Sequence, residues 1–343
     1  MKKYDILGLG HAISDIEIKV NHGYLNHPRL TALGLTKGAM VHIDEKKRDE
    51  ILQLLGIKEN FAITPGGSVA NTLAALAKLG KSCCFVGNLG DDAMGTKYFT
   101  AFKNISITVP FPLEQGGKSG SCLLLVTPDA ERTMMTTLGC STDFSLTAEH
   151  LPIFEESSLL YIEGYLLENP NTTTAVRKAI SMAKTVAMPI ALSASNYMTI
   201  ERNAAVFNEL LPHVDILFVN EDELKKLCEV QNHSTALKKI DFEQSSYSDL
   251  MLELGHAFNR RGLFLIATAG KHGSYLWDSR ESLVTEPVYI EAIATEVVDT
   301  TGAGDAYAAG ILNGILEHAP LQAMGNQAAT LASKVISRFS ARY

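Results

Sequence analysis

Asp299-Thr300-Thr301-Gly302-Ala303-Gly304-Asp305 is the stretch that decides the fold class of this 343-residue chain, and a helical run of small residues follows it directly. Glycine and alanine allow backbone N–H groups to converge at the start of a helix, where the helix dipole favours an anion. The pattern therefore predicts a phosphate-binding loop, in which Asp305 orients a hydroxyl group and accepts its proton. A tight turn with Asp305 as a helix cap is the alternative.

Around this loop, short apolar strands alternate with longer helical segments, which is typical of βαβ units and a mostly parallel, doubly wound sheet. The strands are nearly all apolar, as expected when helices cover both faces of the sheet. The predicted strands are Tyr4–Leu9, Ser82–Gly87, Ser158–Ile162, Ile190–Ser193, Asp215–Val219, Leu263–Thr268 and Glu296–Val298. The predicted helices are Glu45–Leu55, Val69–Leu79, Asp92–Lys103, Thr172–Ala187, Arg202–Leu211, Asp249–Arg260, Asp305–Leu316 and Leu321–Arg338.

A few segments break this alternation with a period of two residues. Asp15–Val20 alternates polar and apolar residues, and Gly120–Val126 and Glu131–Thr136 do so in part. Together with Ala39–Ile43, they predict a small sheet that stands beside the main body as a lid over a site. We therefore expect residues 1–343 to form one α/β domain, with a small β-sheet lid built from insertions near residues 15–43 and 107–137.

Composition and charge exclude several classes of partner. The 30 lysines and arginines are scattered among 38 acidic residues, and the net charge of −8 predicts no nucleic-acid and no membrane partner. The five cysteines are odd in number and lack C-x-x-C spacing, which predicts neither a disulfide framework nor a zinc site. The amino terminus lacks the apolar core of a signal peptide, so we expect a cytoplasmic protein.

Further polar positions stand beside glycines or at strand ends. The pair Gly66 and Gly67 precedes a helix and allows a ligand to approach the backbone, and Asn71, one turn later, offers a donor and an acceptor to sugar hydroxyls. Asp15 closes the first strand region, where a carboxylate can bind a vicinal diol. Arg132, on a lid strand, could bind a phosphate in a bidentate manner, although a solvated strand residue is an equally good interpretation.

The motifs resemble those of a known family. Asp299–Asp305 is similar to the carboxy-terminal signature of the ribokinase, or PfkB, family of sugar and nucleoside kinases, and Gly66–Thr72 is similar to the amino-terminal Gly-Gly motif. The resemblance thus runs nearly from end to end. Gly10–Asp15, Pro128–Thr133 and Val214–Glu221 look most like the adenosine kinases within that family. The resemblance implies a ribokinase-like α/β fold and transfer of a phosphoryl group from ATP, with Mg²⁺, to an alcohol.

The resemblance also implies roles for individual residues. Gly302, Ala303 and Gly304 would stabilise the migrating charge beside Asp305. Five positions match substrate-binding residues: Asp15, Gly66, Gly67 and Asn71 at the ribose, and Tyr165 stacked on the base. His11 stands where adenosine kinases usually carry asparagine, and we expect it to contact the substrate and alter base preference. The implied nucleotide and magnesium set is Asn220, Glu223, Thr268, Gly270, Thr301 and Asn326, with Asn220 and Glu223 at the metal.

Several alternatives stay open at this point. Asn220 and Glu223 also suit an ordinary helix cap, Tyr165 suits a core position, and Asn326 suits an exposed helix surface. The predicted substrate is a nucleoside, with adenosine as the first candidate. The alternatives are a guanosine or inosine kinase, a sugar kinase for ribose or fructose, and an inactive ligand-binding regulator. A requirement for a monovalent cation such as K⁺ and the choice between monomer and homodimer are also open.

Overall fold

The computed structural model describes residues 2–32, 35, 37, 40–56, 63–129, 132–231, 247–258, 260, 262–280 and 286–338. Within these residues the chain forms a nine-stranded sheet, a five-stranded sheet and the helices that cover them. This arrangement confirms the predicted fold class, a large, mostly parallel sheet with a second, smaller one.

The strands, in chain order, are β1 (Tyr4–Leu9), β2 (Ile13–Lys19), β3 (Met40–His42), β4 (Thr64–Gly66), β5 (Cys83–Val86), β6 (Ile107–Thr108), β7 (Gly120–Val126), β8 (Arg132–Thr137), β9 (Ser157–Glu163), β10 (Ile190–Ser193), β11 (Ile216–Asn220), β12 (Phe264–Thr268), β13 (Ser274–Asp278) and β14 (Val288–Ile290). The α-helices are α1 (Pro28–Thr31), α2 (Glu45–Leu54), α3 (Ser68–Lys78), α4 (Ala93–Asn104), α5 (Leu151–Glu155), α6 (Pro170–Thr185), α7 (Tyr197–Arg202), α8 (Ala204–Leu210), α9 (Glu221–Val230), α10 (Tyr247–Phe258), α11 (Ala303–Leu316) and α12 (Leu321–Ile336).

The large sheet has the strand order β14-β13-β12-β11-β10-β9-β1-β5-β6. All pairings from β12 to β6 are parallel, and β13 and β14 add an antiparallel edge. Alternate residues of each strand enter two separate core layers, because successive side chains of a strand point to opposite faces. In β9, for example, Leu160 and Ile162 pack in one layer and Leu159 and Tyr161 in the other. Apolar strands are thus buried on both faces, as the sequence indicates.

The small sheet has the order β3-β8-β7-β2-β4 and also has two different faces. In β7, Leu123 and Leu125 pack on the face that α2 covers. Cys122 and Leu124 point to the other face, where they form a small apolar cluster with Ile13, Met134 and Leu138. The period-two pattern of the lid segments therefore reflects two apolar faces as much as an exposed one.

Several details differ from the expectations. Residues Glu296–Val298 do not form a strand, because the backbone there runs beside the end of α12, where Val298 N–H donates to the carbonyl of Ile336 at 2.8 Å. The helix expected at Arg202–Leu211 is the shorter α8 (Ala204–Leu210), and an unexpected helix, α7 (Tyr197–Arg202), precedes it and ends at Asn203. The antiparallel edge strands β13 and β14 are absent from the predicted strands.

All five cysteines are free thiols, and each is buried. Among the described helices, none combines the length and the apolar composition that crossing a bilayer requires.

Candidate active site

A cavity of about 440 Å³ lies between the small sheet and the carboxyl ends of the parallel strands of the large sheet. Open α/β sheets bind ligands at this edge, because the loops that follow parallel strands converge there. Twelve of the predicted site residues line the cavity: His11, Asp15, Gly67, Asn71, Tyr165, Asn220, Glu223, Thr268, Thr301, Gly302, Gly304 and Asp305. Segments far apart in the chain thus meet at one place.

Asp305 is held by the first turn of another helix. It lies in the first turn of α11, and Ser68 Oγ donates to its Oδ1 at 2.6 Å while Asn71 Nδ2 donates to its Oδ2 at 3.0 Å. Thr72 Oγ1 also donates to the Asp305 carbonyl oxygen at 3.2 Å. The carboxylate is therefore fixed in orientation at the cavity wall.

The backbone that precedes Asp305 forms a helix start. Gly302 is the N-cap of α11 and adopts a left-handed conformation (φ 78°), which glycine adopts without strain. The first N–H groups of a helix have no intrahelical carbonyl partner, so they can bind an anion at this position. A Cβ atom built on Gly304 would meet no protein atom within 4 Å, which leaves the cavity open beside the backbone.

The glycine pair before α3 has a structural reason of its own. A Cβ on Gly66 would lie 2.4 Å from Oδ2 of Asp15, and a Cβ on Gly67 would lie 2.4 Å from the carbonyl oxygen of His11. Gly67 also has a φ of 95° and provides no side-chain cap for α3. Glycine is therefore needed here to bring Asp15 and His11 against the start of α3, and Ser68 is free to bind Asp305 instead of capping the helix.

His11 is a neutral imidazole in the cavity wall. Burial lowers its pKa to about 4, against the opposing effect of nearby backbone carbonyls and of Glu168. Its Nδ1 lies 3.2 Å from the carbonyl oxygen of Ser141 and 3.1 Å from the Ser141 hydroxyl oxygen. The ring is thereby held against the segment that leads from the small sheet back to the large one.

Asn220 and Glu223 form the capping box that begins α9. Asn220 Oδ1 accepts from Glu223 N–H at 2.9 Å, and the Glu223 carboxylate accepts from the N–H of Asn220 at 2.9 Å and from its Nδ2 at 2.8 Å. Burial raises the pKa of Glu223 to about 7. The capping interpretation is therefore correct for this pair, and both residues nevertheless line the cavity. Among the described residues, no group of three or more His, Cys, Asp or Glu side chains forms a metal site.

Comparisons with known proteins agree with this geometry. The profile of the pfkB family carbohydrate kinases matches residues 30–343. The chain belongs to this family. An adenosine kinase of Schizophyllum commune is 24% identical over 326 residues, which cover 92% of this chain and 90% of the relative. A 5-dehydro-2-deoxygluconokinase of Listeria monocytogenes is 23% identical over 289 residues, which cover 82% and 83%.

Solved structures of similar proteins cover almost the whole chain. The adenosine kinase from Sinorhizobium meliloti superposes with a TM-score of 0.79 at 27% identity, covering 99% of this chain and 96% of that protein. A probable sugar kinase from Rhizobium etli CFN 42 gives 0.80 at 25% identity, covering 100% and 96%. The fold is therefore the ribokinase-like α/β fold of the pfkB family.

Some residues that the family resemblance implies do not line the cavity. Gly270 is exposed in the turn between β12 and β13, and Asn326 is exposed on α12, where its Oδ1 accepts from Gln322 at 3.1 Å. Gly66 and Ala303 adjoin the cavity through their neighbours Gly67, Gly302 and Gly304. Arg132 begins β8, and its side chain lies outside the described part of the structure.

The structure also adds residues to the site that sequence reasoning missed. Glu163, at the end of β9, lines the cavity with 1% of its surface exposed, and accepts from His11 N–H at 2.8 Å and Val69 N–H at 3.0 Å. Glu168, at the end of the 3₁₀ turn that follows β9, and Arg202, at the end of α7, also line the cavity. An acidic residue that interrupts the apolar strand Leu159–Ile162 at its carboxyl end was the one available signal for Glu163.

Glu163 should make the stability of this pfkB-family chain pH-dependent. Burial raises its pKa from 4.5 to about 7, so the folded state binds the proton more tightly than the unfolded state does. The free energy of unfolding should therefore fall as the pH rises from about 4.5 to about 7. Glu163→Gln removes this titration. We expect its stability relative to wild type to rise by about 2–3 kcal/mol between pH 5.0 and pH 7.5.

Chemical denaturation at these two pH values measures the difference. Glu209→Gln is the control, because Glu209 is exposed and its pairing with Arg177 lowers its pKa. The same stability difference between Glu163→Gln and wild type at both pH values would contradict the prediction.

Proposed function

We propose that this pfkB-family chain transfers a phosphoryl group from ATP to the 5′-hydroxyl of a nucleoside, with Asp305 as the general base. Because the chain belongs to the pfkB family, it is expected to be a phosphotransferase that acts on an alcohol group of a carbohydrate or a nucleoside. The nucleoside, and the roles of individual residues, are the parts that we propose here.

The apolar inner face of the lid is the observation that carries the proposal. Ile13, Cys122, Leu124, Met134 and Leu138 form one cluster, and all five line the cavity opposite the strand ends. A free sugar presents hydroxyls on nearly every side, and an apolar wall leaves those hydroxyls without hydrogen bonds. A nucleobase has apolar ring faces that such a wall can cover, and Tyr165 provides an aromatic surface in the same cavity.

The fixed carboxylate supports the proposed chemistry. Ser68 and Asn71 each donate to one oxygen of Asp305, which orients the carboxylate towards a hydroxyl group bound in the cavity. In the proposed step the 5′-oxygen attacks the γ-phosphorus, the bond to the β-phosphate oxygen breaks, and the hydroxyl proton passes to Asp305. Backbone N–H groups at Gly302–Gly304 would stabilise the charge on the transferring group, since they are oriented before the reaction begins.

For the second substrate, we propose the part of the cavity beside β11 and β12. Thr268 and Thr301 line it, with Gly270 and Asn326 beyond its edge. Mg²⁺ is usually held by one or two carboxylates together with the phosphates, and Glu223 with Asn220 fits that pattern if a water molecule intervenes. The ion would neutralise phosphate charge. Asp15 would bind the ribose hydroxyls beside Gly66, Gly67 and Asn71, and Arg132 would reach the γ-phosphate from the lid.

A sugar kinase is the second candidate. Asn169, Ser195 and Asn196 provide polar side chains along one wall of the cavity, and hydroxyl-rich ligands need such partners. Curated relatives with sugar-kinase names, such as the Listeria protein, support the same alternative. The apolar lid face makes the nucleoside the first candidate.

The test is a panel of alcohols. ADP formation from MgATP should be fastest with one of adenosine, guanosine or inosine, and slow with ribose and fructose. Activity with a sugar alone would replace the nucleoside by the second candidate and retain the phosphotransferase. Absence of ADP formation with every alcohol, in the presence of ligand binding, would favour an inactive regulator.

A further inference from the structure

Two oppositely charged side chains lie together on the cavity wall. Glu168 ends the 3₁₀ turn Gly164–Glu168 that follows β9, and Arg202 ends α7. Arg202 Nη2 donates to Glu168 Oε1 at 2.5 Å, and Thr199 Oγ1 donates to the same oxygen at 2.6 Å. All three residues line the cavity. The family resemblance assigns them no role.

This geometry leaves hydrogen-bonding capacity on both partners. Both contacts fall on Oε1 of Glu168, so its Oε2 remains an acceptor for a ligand. The guanidinium of Arg202 has five N–H donors, and the contact with Glu168 occupies one nitrogen. The Glu168 side chain is 22% exposed and the Arg202 side chain 59%, so a ligand at the cavity mouth can reach both. An acceptor therefore stands next to a donor.

The pair lies on the same side of the cavity as His11 and Tyr165. Tyr165 belongs to the same 3₁₀ turn as Glu168. Burial is the main influence on both side chains, lowering the pKa of His11 and raising that of Tyr165, and the Glu168 carboxylate raises both values. These two residues are the ones that we expect beside the nucleobase and the ribose.

We propose that Glu168 and Arg202 bind the hydrogen-bonding edge of the nucleobase and determine which nucleosides are accepted. The inference rests on the proposed nucleoside kinase function. Glu168 Oε2 would accept from an amino or ring N–H group, and Arg202 would donate to the neighbouring ring nitrogen or carbonyl oxygen. Adenine, with N6–H₂ beside N1, and hypoxanthine, with N1–H beside O6, both carry such an edge.

A base without a donor on this edge should be rejected. It would leave the Glu168 carboxylate desolvated and unpaired, and hydrogen bonds to charged groups contribute enough to change binding by about 10- to 100-fold. Purine riboside is the appropriate probe, because it keeps the ring and the sugar of adenosine and lacks the exocyclic amino group. We expect wild-type protein to have a KM for purine riboside about 10- to 100-fold above that for the best purine nucleoside.

Substitution of the pair should remove this preference. In Glu168→Ala the ratio of the two KM values should fall towards 1, and Arg202→Ala should raise the KM for the best nucleoside without changing the KM for ATP. Glu168→Gln is the isosteric variant. Its carbonyl oxygen can keep the contacts with Arg202 and Thr199, while its NH₂ group at the Oε2 position repels a donor, so it should favour purine riboside over the amino-bearing base.

Arg177 and Glu209 provide a matched control. They form a bidentate ion pair on the protein surface, with distances of 2.8 and 2.7 Å, and neither residue lines the cavity. Glu209→Ala should keep the wild-type KM ratio. Thermal unfolding of each variant identifies any that does not fold, and the full chain is used throughout.

Three results would overturn the inference, in distinguishable ways. An unchanged KM ratio in both Glu168 variants, with nucleosides still phosphorylated, removes the inference and leaves the proposed function. An increase in the KM for ATP alone in Arg202→Ala assigns Arg202 to the triphosphate. If sugars are phosphorylated and no nucleoside is bound or phosphorylated, both the proposed function and the inference are wrong.

Discussion

Asp305→Asn should lower kcat on the best substrate of the panel by about 10²- to 10⁴-fold, which is the usual contribution of general acid–base catalysis. The substitution removes the proposed proton acceptor and keeps the size of the side chain. Ser68 Oγ can still donate to the new carbonyl oxygen, and the Asn71 amide can rotate so that its oxygen accepts from the new NH₂ group. Binding of the nucleoside should therefore stay within a few-fold of wild type.

Steady-state kinetics and titration calorimetry together measure the two quantities. Asp278→Asn is a suitable control for the loss of one charge, because Asp278 pairs with Arg280 and does not line the cavity. Wild-type turnover in Asp305→Asn would exclude Asp305 as the base. Lost binding together with lost turnover would instead assign Asp305 mainly to holding Ser68, Asn71 and the substrate in place.

Much of the large sheet could be predicted from the sequence, because its strands are apolar and separated by helices. Tyr4–Leu9 and Ile190–Ser193 have the predicted bounds. The antiparallel edge was missed for a physical reason. The segment from Thr268 to Ser274 is a tight turn in which Gly270 and Gly273 have positive φ values, and its two strands pair from Phe264–Asp278 to Thr268–Ser274. The prediction ended a strand there and did not recognise a hairpin.

The candidate site could be predicted where one motif contains both the residue and its local geometry. Asp305 and Gly302 belong to one continuous stretch, and both line the cavity. Glu163 and Ser68 could not be predicted in their observed roles, because each depends on a contact across 94 or 237 positions in the chain. Such contacts arise from the packing of α3 against β9 and α11, which a local pattern does not contain.

The second large effect is expected at Gly304. Gly304→Ala should reduce kcat/KM by about 10²- to 10³-fold, as the loss of an oxyanion-binding group does, without lowering the melting temperature. The added Cβ meets no protein atom within 4 Å, and Gly304 has an ordinary negative φ, so the folded chain can accept the methyl group. Alanine is also favoured over glycine in a helix by about 0.5–1 kcal/mol.

Two further alanine substitutions separate activity from stability in this experiment. In Gly310→Ala, on the same helix, the Cβ would lie 2.4 Å from Cα of Ala328, so we expect a lower melting temperature. In Gly23→Ala the Cβ makes an ordinary contact of 3.5 Å with Asn21 away from the cavity, so activity and stability should both be retained. If Gly304→Ala remained fully active, the transferring phosphoryl group would not approach the start of α11. If Gly304→Ala was inactive but as stable as wild type, the added methyl group would be displacing the ligand, because no protein side chain occupies that space.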